Sequence, residues 1–245
     1  MPHPIHIGVG GWTYEPWRGS FYPSGLRQAD ELAFAARALT AIEVNGTYYG
    51  TQKPETFRRW AGEAPQGFVF ALKAPRFATA RRKLAEGGDS TRRFLASGLA
   101  ELGPKLGPIN WQLPPTRQFD ADDMAGFLDL LPDRLEGLPL RHAIEARHES
   151  FACDAFTTLL RDRGLAAVQA ADSPYPEIDA ATAPFAYLRI MGTVEGEEHG
   201  YPAKDLDRWA DRIRDIARQR ELFLFVISGH KIANPAAALA LLRRL

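Results

Sequence analysis

The feature that most constrains the fold of this chain is a regular alternation of short apolar runs with stretches of helical periodicity. Eight runs are typical of β-strands: Ile5 to Gly10, Ala41 to Asn45, Phe68 to Lys73, Ile109 to Leu113, His142 to Arg147, Ala166 to Asp172, Phe185 to Met191 and Leu222 to Ser228. Strands that alternate with helices predict a parallel sheet with helical crossovers. The 245 residues allow about 31 for each strand and its crossover, which suits a closed barrel.

The segments between the runs carry helix signals, with one exception. Helix starts are predicted at Asp89, Asp120 and Asn234, and a helix end at Gly164. The exception is Ser173 to Pro184, where three prolines predict an irregular loop. The sequence therefore predicts a single α/β domain over residues 1–245: a (β/α)8 TIM-type barrel of eight parallel strands, with one irregular crossover after strand 6.

Composition excludes several classes of protein. The 30 Lys and Arg balance the 30 Asp and Glu, which argues against a surface built as a whole to bind nucleic acid or an anionic membrane. The single cysteine, Cys153, rules out an intramolecular disulfide and suits a reducing compartment. The longest apolar run, Ala236 to Leu242, is far shorter than the roughly 20 residues of a membrane span. With no secretion signal visible, we expect a cytoplasmic protein and no membrane partner.

The strands also predict where polar side chains lie. In a barrel, a period of two separates residues that face the helices from residues that fill the interior. This period turns five charged residues inward near the carboxyl ends of their strands: Glu43, Lys73, Glu145, Arg147 and Arg189. Barrel enzymes keep their chemistry at that face. Strands 6 and 8 are too uniformly apolar for their two faces to be told apart in this way.

Two interpretations of the five residues remain open. An unpaired buried charge is costly, so the groups form either a structural ion-pair network or a ligand site. Three cations face two carboxylates, or three if Asp172 is included, which favours an anionic ligand held by Arg147 and Arg189. Inward-facing Gly8 and Gly10 either admit a ligand or allow close strand packing.

As an enzyme, the chain is predicted to act on a small phosphate- or carboxylate-bearing molecule by general acid-base chemistry, as a hydrolase or lyase. Glu43 and Glu145 would exchange protons, and Lys73 would tune one of them or polarise the substrate. No cofactor is predicted. Further candidate substrate-binding residues near the strand ends are Asn45, Gln112, Asp172, His148 and Ser228, together with the aromatic residues Trp12, Tyr14 and Tyr48, which are suited to stacking on a ring.

Two alternatives remain open, one within enzymes and one from another class of protein. A metal-dependent phosphoesterase or nuclease-like hydrolase would draw on donors such as His148, Asp172 and His230, but no spacing typical of a metal site fixes a geometry, and no metal is predicted. A non-catalytic nucleic-acid or protein-binding barrel would use the basic segment 76–93. Ser228 to His230, ahead of the helix that begins at Asn234, is a candidate anion seat in any of these cases.

Seven motifs follow one another along nearly the whole chain: Gly8-x-Gly-Gly-Trp12-x-Tyr14-x-x-Trp17-x-Gly19-x-Phe21-Tyr22-Pro23, Glu43-Val-Asn45-Gly-Thr47-Tyr48-Tyr49, Phe68-Val-Phe-Ala-Leu-Lys73, Trp111-Gln112-Leu-Pro114-Pro115, Ala143-Ile-Glu145-Ala-Arg147-His148-Glu-Ser150-Phe151, Ala171-Asp172-Ser173 and Tyr187-Leu-Arg189. Together they resemble the signature of the YecE-like family, domain of unknown function 72. The resemblance implies a barrel of this type with no assigned reaction. Departures at Ala80, Met191 and Ser228 to His230 indicate a divergent member.

Overall fold

A closed barrel of eight parallel strands forms the centre of the computed structural model, which describes residues 2–245. The strands are Ile5–Gly10 (β1), Ala41–Val44 (β2), Val69–Lys73 (β3), Leu106–Gln112 (β4), His142–Glu145 (β5), Ala166–Ala171 (β6), Phe185–Ile190 (β7) and Glu221–Val226 (β8). Each strand pairs with its neighbours in the chain, and β8 closes the barrel by pairing with β1. All eight predicted strands are confirmed, and their boundaries differ from the prediction by three residues at most.

The helices lie outside the barrel. They are Glu31–Ala38 (α1), Gly46–Tyr49 (α2), Pro54–Glu63 (α3), Arg76–Thr79 (α4), Gly88–Leu95 (α5), Ala121–Leu128 (α6), Asp154–Arg161 (α7), Ala203–Ala217 (α8) and Asn234–Leu242 (α9). No helix lies between β6 and β7, as the prolines predicted. Within residues 2–245, none of the helices combines the length and the apolar character that crossing a bilayer requires.

The strand alternation divides the buried apolar residues into two groups. Ile42, Val44 and Leu188 belong to the larger group, between the strands and the helices. Ala41 and Tyr187, their neighbours in sequence, belong to a smaller group inside the barrel. The predicted inward and outward faces of β2 and β7 are therefore confirmed.

The two strands that the sequence did not phase follow the same rule. On β6, Val168 and Ala170 face the barrel interior, and on β8, Phe223 and Phe225 do so. Phe223 closes the amino-terminal end of the barrel, where the ring of His6 stacks on it at 4.8 Å between centroids. Apolar and aromatic side chains thus fill the lower interior and leave the charged groups at the carboxyl ends.

Of the three residues that the sequence places at helix starts, only Asp120 acts as a cap, although α9 does begin at Asn234. Asp120 does cap α6, because its carboxylate accepts a hydrogen bond of 3.0 Å from the Asp123 backbone N–H. Asp89 lies inside the first turn of α5 and pairs with Arg92 instead. Asn234 is buried, and its Oδ1 accepts a 2.8 Å hydrogen bond from the Thr193 hydroxyl, so it joins two loops rather than capping its own helix.

Gly8 is required by close strand packing. It pairs with Ala41 on β2, and a Cβ at Gly8 would lie 1.7 Å from the Ala41 carbonyl oxygen. Backbone atoms of a closed barrel cannot move apart to make room for an added methyl group. Of the two interpretations of Gly8, close packing therefore accounts for it.

We expect Gly8→Ala to lower the free energy of unfolding by about 3 kcal/mol or more, since overpacking a core typically costs 1–3 kcal/mol and here the obstacle is backbone. Urea denaturation at pH 7 measures the change. Gly62→Ala is the matched control: Gly62 lies in α3 with no atom within 4 Å of an added Cβ, and Ala should stabilise the helix by about 0.5–1 kcal/mol. Equal stabilities for the Gly8 variant and the wild type would contradict the close packing of β1 on β2.

Candidate functional site

Four of the five predicted inward charges sit at the carboxyl ends of barrel strands, and Arg147 follows the end of β5. Glu43 pairs in register with Gly10 of β1, and Glu145 with Gln112 of β4. Lys73 is the last residue of β3 and pairs with Asn110. The strand period brings these side chains into one layer at the mouth of the barrel.

Arg189 joins the two carboxylates at the centre of this layer. One terminal nitrogen of its guanidinium group donates to Glu43 Oε1 at 2.9 Å, and the other donates to Glu145 Oε2 at 2.5 Å. Both glutamates are fully buried, and Arg189 is 3% exposed. The three groups therefore form a buried, charge-assisted network across the barrel.

The remaining carboxylate oxygens also accept hydrogen bonds. The Tyr187 hydroxyl donates to Glu43 Oε2 at 2.7 Å, and the Asn110 amide donates to Glu145 Oε2 at 2.9 Å. Arg147 Nε donates to Glu145 Oε1 at 2.7 Å. All four oxygens are thus satisfied within the protein. In contrast, Arg189 Nε and Asn110 Oδ1 are buried with no hydrogen-bond partner among residues 2–245, which is uncommon in a purely structural core.

The network fixes the protonation state of its members. Burial raises the pKa of Glu145. The charges of Arg189 and Arg147 and the Asn110 hydrogen bond outweigh this effect and lower the pKa to about 2. Burial and the charge of Glu43 raise the pKa of Tyr187. At neutral pH, Glu145 is a carboxylate and Tyr187 is a neutral phenol.

Lys73 lies at the edge of the network and is almost buried. Its ammonium group sits 4.2 Å from the centroid of the Tyr48 ring, and among residues 2–245 no carboxylate forms an ion pair with it. Thr47 fixes the strand end, because its hydroxyl donates to the Lys73 carbonyl at 2.7 Å. Burial, and then the charge of Arg189, lower the pKa of Lys73 to about 8.

Of the five charged residues at the mouth, Arg147 is the most exposed to solvent, with 15% of its side chain accessible. Besides Glu145, it donates to Gln112 Oε1 at 2.9 Å and to the Tyr175 hydroxyl at 3.2 Å. Its guanidinium carbon lies 4.3 Å from the centroid of the Tyr175 ring. Tyr175 comes from the irregular loop after β6, so this loop covers one side of the mouth.

The structure brings together most of the predicted site residues but not all of them. Asn45 and Trp12 line a cavity at the ends of β1 and β2. His148 caps a short 3-10 turn, since its Nδ1 accepts from the Ser150 backbone N–H at 3.2 Å. Asp172 is exposed beside Gly192, and Ser228 is exposed in a left-handed turn. Neither of the last two contacts the charged network.

The candidate anion seat at Ser228 to His230 is occupied by contacts within the protein. A Cβ at Gly229 would lie 2.5 Å from the Thr193 carbonyl oxygen, and the His230 backbone N–H donates to that oxygen at 2.7 Å. Because this N–H is already bonded and Asn234 is turned toward Thr193, neither group is available to an anion, and the anion seat stays a prediction.

Sequence reasoning missed three members of the site. Asn110 lies two residues before Gln112 on β4, so the period of two was sufficient to find it. Tyr175 lies in a loop, and Lys231 in a short turn after β8, where no periodicity applies. Lys231 lies beside the same cavity as Trp12 and Asn45.

Acidic and histidine side chains do not gather elsewhere. Throughout residues 2–245, no three His, Cys, Asp or Glu side chains come close enough together to hold a metal ion jointly.

Comparison with known proteins gives relatives without an assigned reaction. UPF0759 protein YecE of Escherichia coli strain K12 is 29% identical over 164 residues, which are 66% of this chain and 55% of that protein. UPF0759 protein YunF of Bacillus subtilis strain 168 is 24% identical over 157 residues, 62% of this chain and 54% of that protein. The matches therefore span little more than half the length of these curated relatives.

Solved structures share the fold. The crystal structure of the DUF72 family protein TM1631 from Thermotoga maritima has a TM-score of 0.75 and 23% identity, with 98% of this chain and 97% of that chain covered. The DUF72 family protein EF0366 from Enterococcus faecalis has a TM-score of 0.73 and 18% identity, with the same coverage. The sequence model of the family described as "Protein of unknown function DUF72" matches residues 6–245. This chain, with its buried Glu-Arg-Glu network at the mouth of a parallel barrel, therefore belongs to the DUF72 family, as a divergent YecE-like member.

Proposed function

We propose that this protein is an enzyme that acts on a small anionic molecule, bearing phosphate or carboxylate, by general acid-base chemistry at the carboxyl-terminal mouth of the barrel. The observation that carries the proposal is the position of Lys73. Its amine lies at the mouth and forms no ion pair with a carboxylate of the part of the chain that the structure describes, while every oxygen of Glu43 and Glu145 already accepts a hydrogen bond. Lys73 is the proton-transferring group, and Arg147 binds the anion.

The chemistry of Lys73 suits this role. A general acid-base group works best when its pKa lies near the working pH, and a pKa of about 8 allows both forms of the amine to be populated. The Tyr48 ring, 4.2 Å away, limits where the amine can point. A positioned general acid or base typically contributes about 10²–10⁴-fold in rate.

Glu43 and Glu145 are suited to a different role from the proton exchange that the sequence predicted. Both are fully buried; Glu145, with a pKa of about 2, is a weak base, and both oxygens of Glu43 already accept hydrogen bonds from Arg189 and Tyr187. We assign them as positioning residues. They hold Arg189 and Arg147 in place, and the charge of Arg189 lowers the pKa of Lys73.

The local charge balance favours an anion. With Lys73 protonated, three cations face two carboxylates, so one positive charge is left uncompensated. A guanidinium group carries five N–H donors, and three hydrogen bonds within the protein engage Arg147. Nη2 also lies 2.7 Å from Glu145 Oε1, which leaves at least one donor, on Nη1, for a phosphate or carboxylate oxygen.

The two alternatives find less support. A metal between Glu43 and Glu145 would compete with Arg189, which already bridges them. In the basic segment 76–93, Arg81 donates to the Phe77 carbonyl and the Ser90 hydroxyl, so part of this segment serves local structure.

A thermal-shift screen against phosphorylated and carboxylate metabolites tests anion binding. A ligand at about 100 times its Kd should stabilise the protein by about 2.7 kcal/mol, which corresponds to roughly 5–10 °C in Tm. Arg147→Met should weaken binding at least tenfold, while Arg93→Met, an exposed control on α5, should not. The proposal fails if no anion binds, or if binding survives in Arg147→Met.

The protonation of Lys73 is measured by trace labelling with acetic anhydride from pH 6 to 11, followed by peptide mass spectrometry with exposed Lys204 as internal reference. The reactivity of Lys73 should reach half its maximum near pH 8. A lowered lysine pKa means that the unfolded chain binds the proton more tightly. Relative to Lys73→Met, wild-type stability should therefore rise as pH rises from about 8 to 10.5. A labelling midpoint above pH 10 would contradict this assignment.

Glu145→Gln should destabilise the protein by about 3–5 kcal/mol at pH 7, because it removes the carboxylate that pairs with Arg147 and one of the two that pair with buried Arg189. Glu149→Gln, an exposed change close by, is the control. Because the pKa of Glu145 is lowered, its contribution is present above pH 4.5 and is lost as pH falls through about 2. Urea denaturation between pH 2 and 7 measures the free energy of unfolding of both variants and the wild type. If its dependence on pH were the same in Glu145→Gln as in the wild type, the positioning role would be disproved.

A further inference from the structure

A cavity of about 340 Å³ opens beside the charged network, at the ends of β1 and β2. Its lining combines glycine backbone, two indole rings, two primary amides and one lysine, and these residues are Gly10, Trp12, Asn45, Gln52, Trp60 and Lys231. The short helix α2 connects it to the network: Gly46 lines the cavity, and Tyr48 of the same helix packs on Lys73. The cavity is therefore an extension of the proposed site.

Lys231 provides a second cation at the mouth. The indole N–H of Trp17, which is buried, donates to the Lys231 carbonyl at 2.9 Å and so ties the turn after β8 to the loop after β1. The ammonium group lies 4.0 Å from the centroid of the Tyr14 ring, and among the described residues no carboxylate forms an ion pair with it. Burial also lowers its pKa. The protein thus positions a lysine at a cavity without compensating its charge.

Asn45 and Gly10 shape the polar wall. The Asn45 amide makes no side-chain hydrogen bond within residues 2–245, so its donors and acceptor are available to a ligand. A Cβ at Gly10 would come within 2.9 Å of Asn45 Nδ2 and 3.0 Å of Ile227 Cγ2. Gly10 therefore leaves room for the amide, and Gln52 adds a second amide across the cavity.

Two indole rings form the apolar wall. Trp12 and Trp60 meet edge to face with their centroids 5.2 Å apart. Both also line a neighbouring cavity of about 650 Å³ that runs outward past Thr13 and Thr56. An indole wall opposite amide groups suits a sugar, because C–H faces pack on the ring while the amides bond to hydroxyl groups.

We propose that this cavity is a subsite for the non-reacting end of the substrate, and that the substrate is a sugar carrying an anionic group at each end. One anionic group binds Lys231, the sugar packs against Trp12 with its hydroxyl groups on Asn45 and Gln52, and the second anionic group reaches Arg147. Lys231, on the turn after β8, and Arg147, at the end of β5, lie three strand spacings apart through β7 and β6, or on the order of 14 Å along the barrel wall. The part of this inference that places the second anionic group at Arg147 rests on the proposed function.

Binding of fructose 1,6-bisphosphate, fructose 6-phosphate and inorganic phosphate, followed by tryptophan fluorescence, tests the proposal. The bisphosphate should bind wild type at least tenfold more tightly than the monophosphate and quench fluorescence, and Trp12→Phe should lose the quenching. Lys231→Gln should weaken bisphosphate binding at least tenfold and bring it close to that of the monophosphate. Lys204→Gln, an exposed change on α8, should leave all three affinities unchanged.

Each contrary outcome has one meaning. Equal affinities for bisphosphate and monophosphate, or unchanged binding in Lys231→Gln, would overturn the subsite. If another anion of the thermal-shift panel binds in an Arg147-dependent way while the bisphosphate does not, the sugar assignment fails and the proposed function stands. If no anion binds at all, both fail. Thermal unfolding of each variant in the absence of ligand confirms that it is folded before its affinity is compared.

Discussion

The guanidinium group of Arg189, which bridges Glu43 and Glu145, makes the contacts on which the mouth of this barrel depends. A buried carboxylate without a partner would be protonated or would destabilise the fold, and here two of them share one guanidinium group. Their remaining oxygens are occupied by Tyr187, Asn110 and Arg147. Every carboxylate oxygen accepts at least one hydrogen bond within the protein, and the two glutamates offset the lowering of the Lys73 pKa only in part.

That saturation gives Lys73 its properties. A lysine next to two glutamates would ordinarily pair with one of them and keep a high pKa. At this site the arginines hold the glutamates, so burial and the charge of Arg189 lower the pKa of Lys73 to about 8. A structural network and a reactive amine are therefore two parts of one arrangement. The sequence left open whether the charged residues form a core network or a ligand site. Glu43, Arg189 and Glu145 form the core network, and Lys73 and Arg147 at its edge form the proposed ligand site.

The residues that fill the barrel interior lie in three layers. At the amino-terminal end, His6 stacks on Phe223, and Arg141 pairs with Glu221 at 2.8 Å, so aromatic and charged groups close the bottom. Small residues such as Ala41 and Ala143 fill the middle. The top layer carries the cations and the two cavities lined by Trp12 and Trp60. The DUF72 relatives of known structure have this fold but bring no assigned reaction, so the proposed function rests on the top layer of this chain.

The sequence alone determined the number of strands, their order along the chain and, for six of the eight, which residues face inward, because the period of two is a local property of a strand whose polar and apolar residues alternate. It predicted Glu43, Lys73, Glu145 and Arg189 at one end of the barrel for the same reason. Tertiary structure decided which charges pair, because Arg189 and Glu43 are 146 positions apart and meet only across a closed barrel. Closure of β8 onto β1 likewise brought Lys231 beside Trp12 and Asn45, and no local pattern in the sequence records which strands become neighbours when the sheet closes.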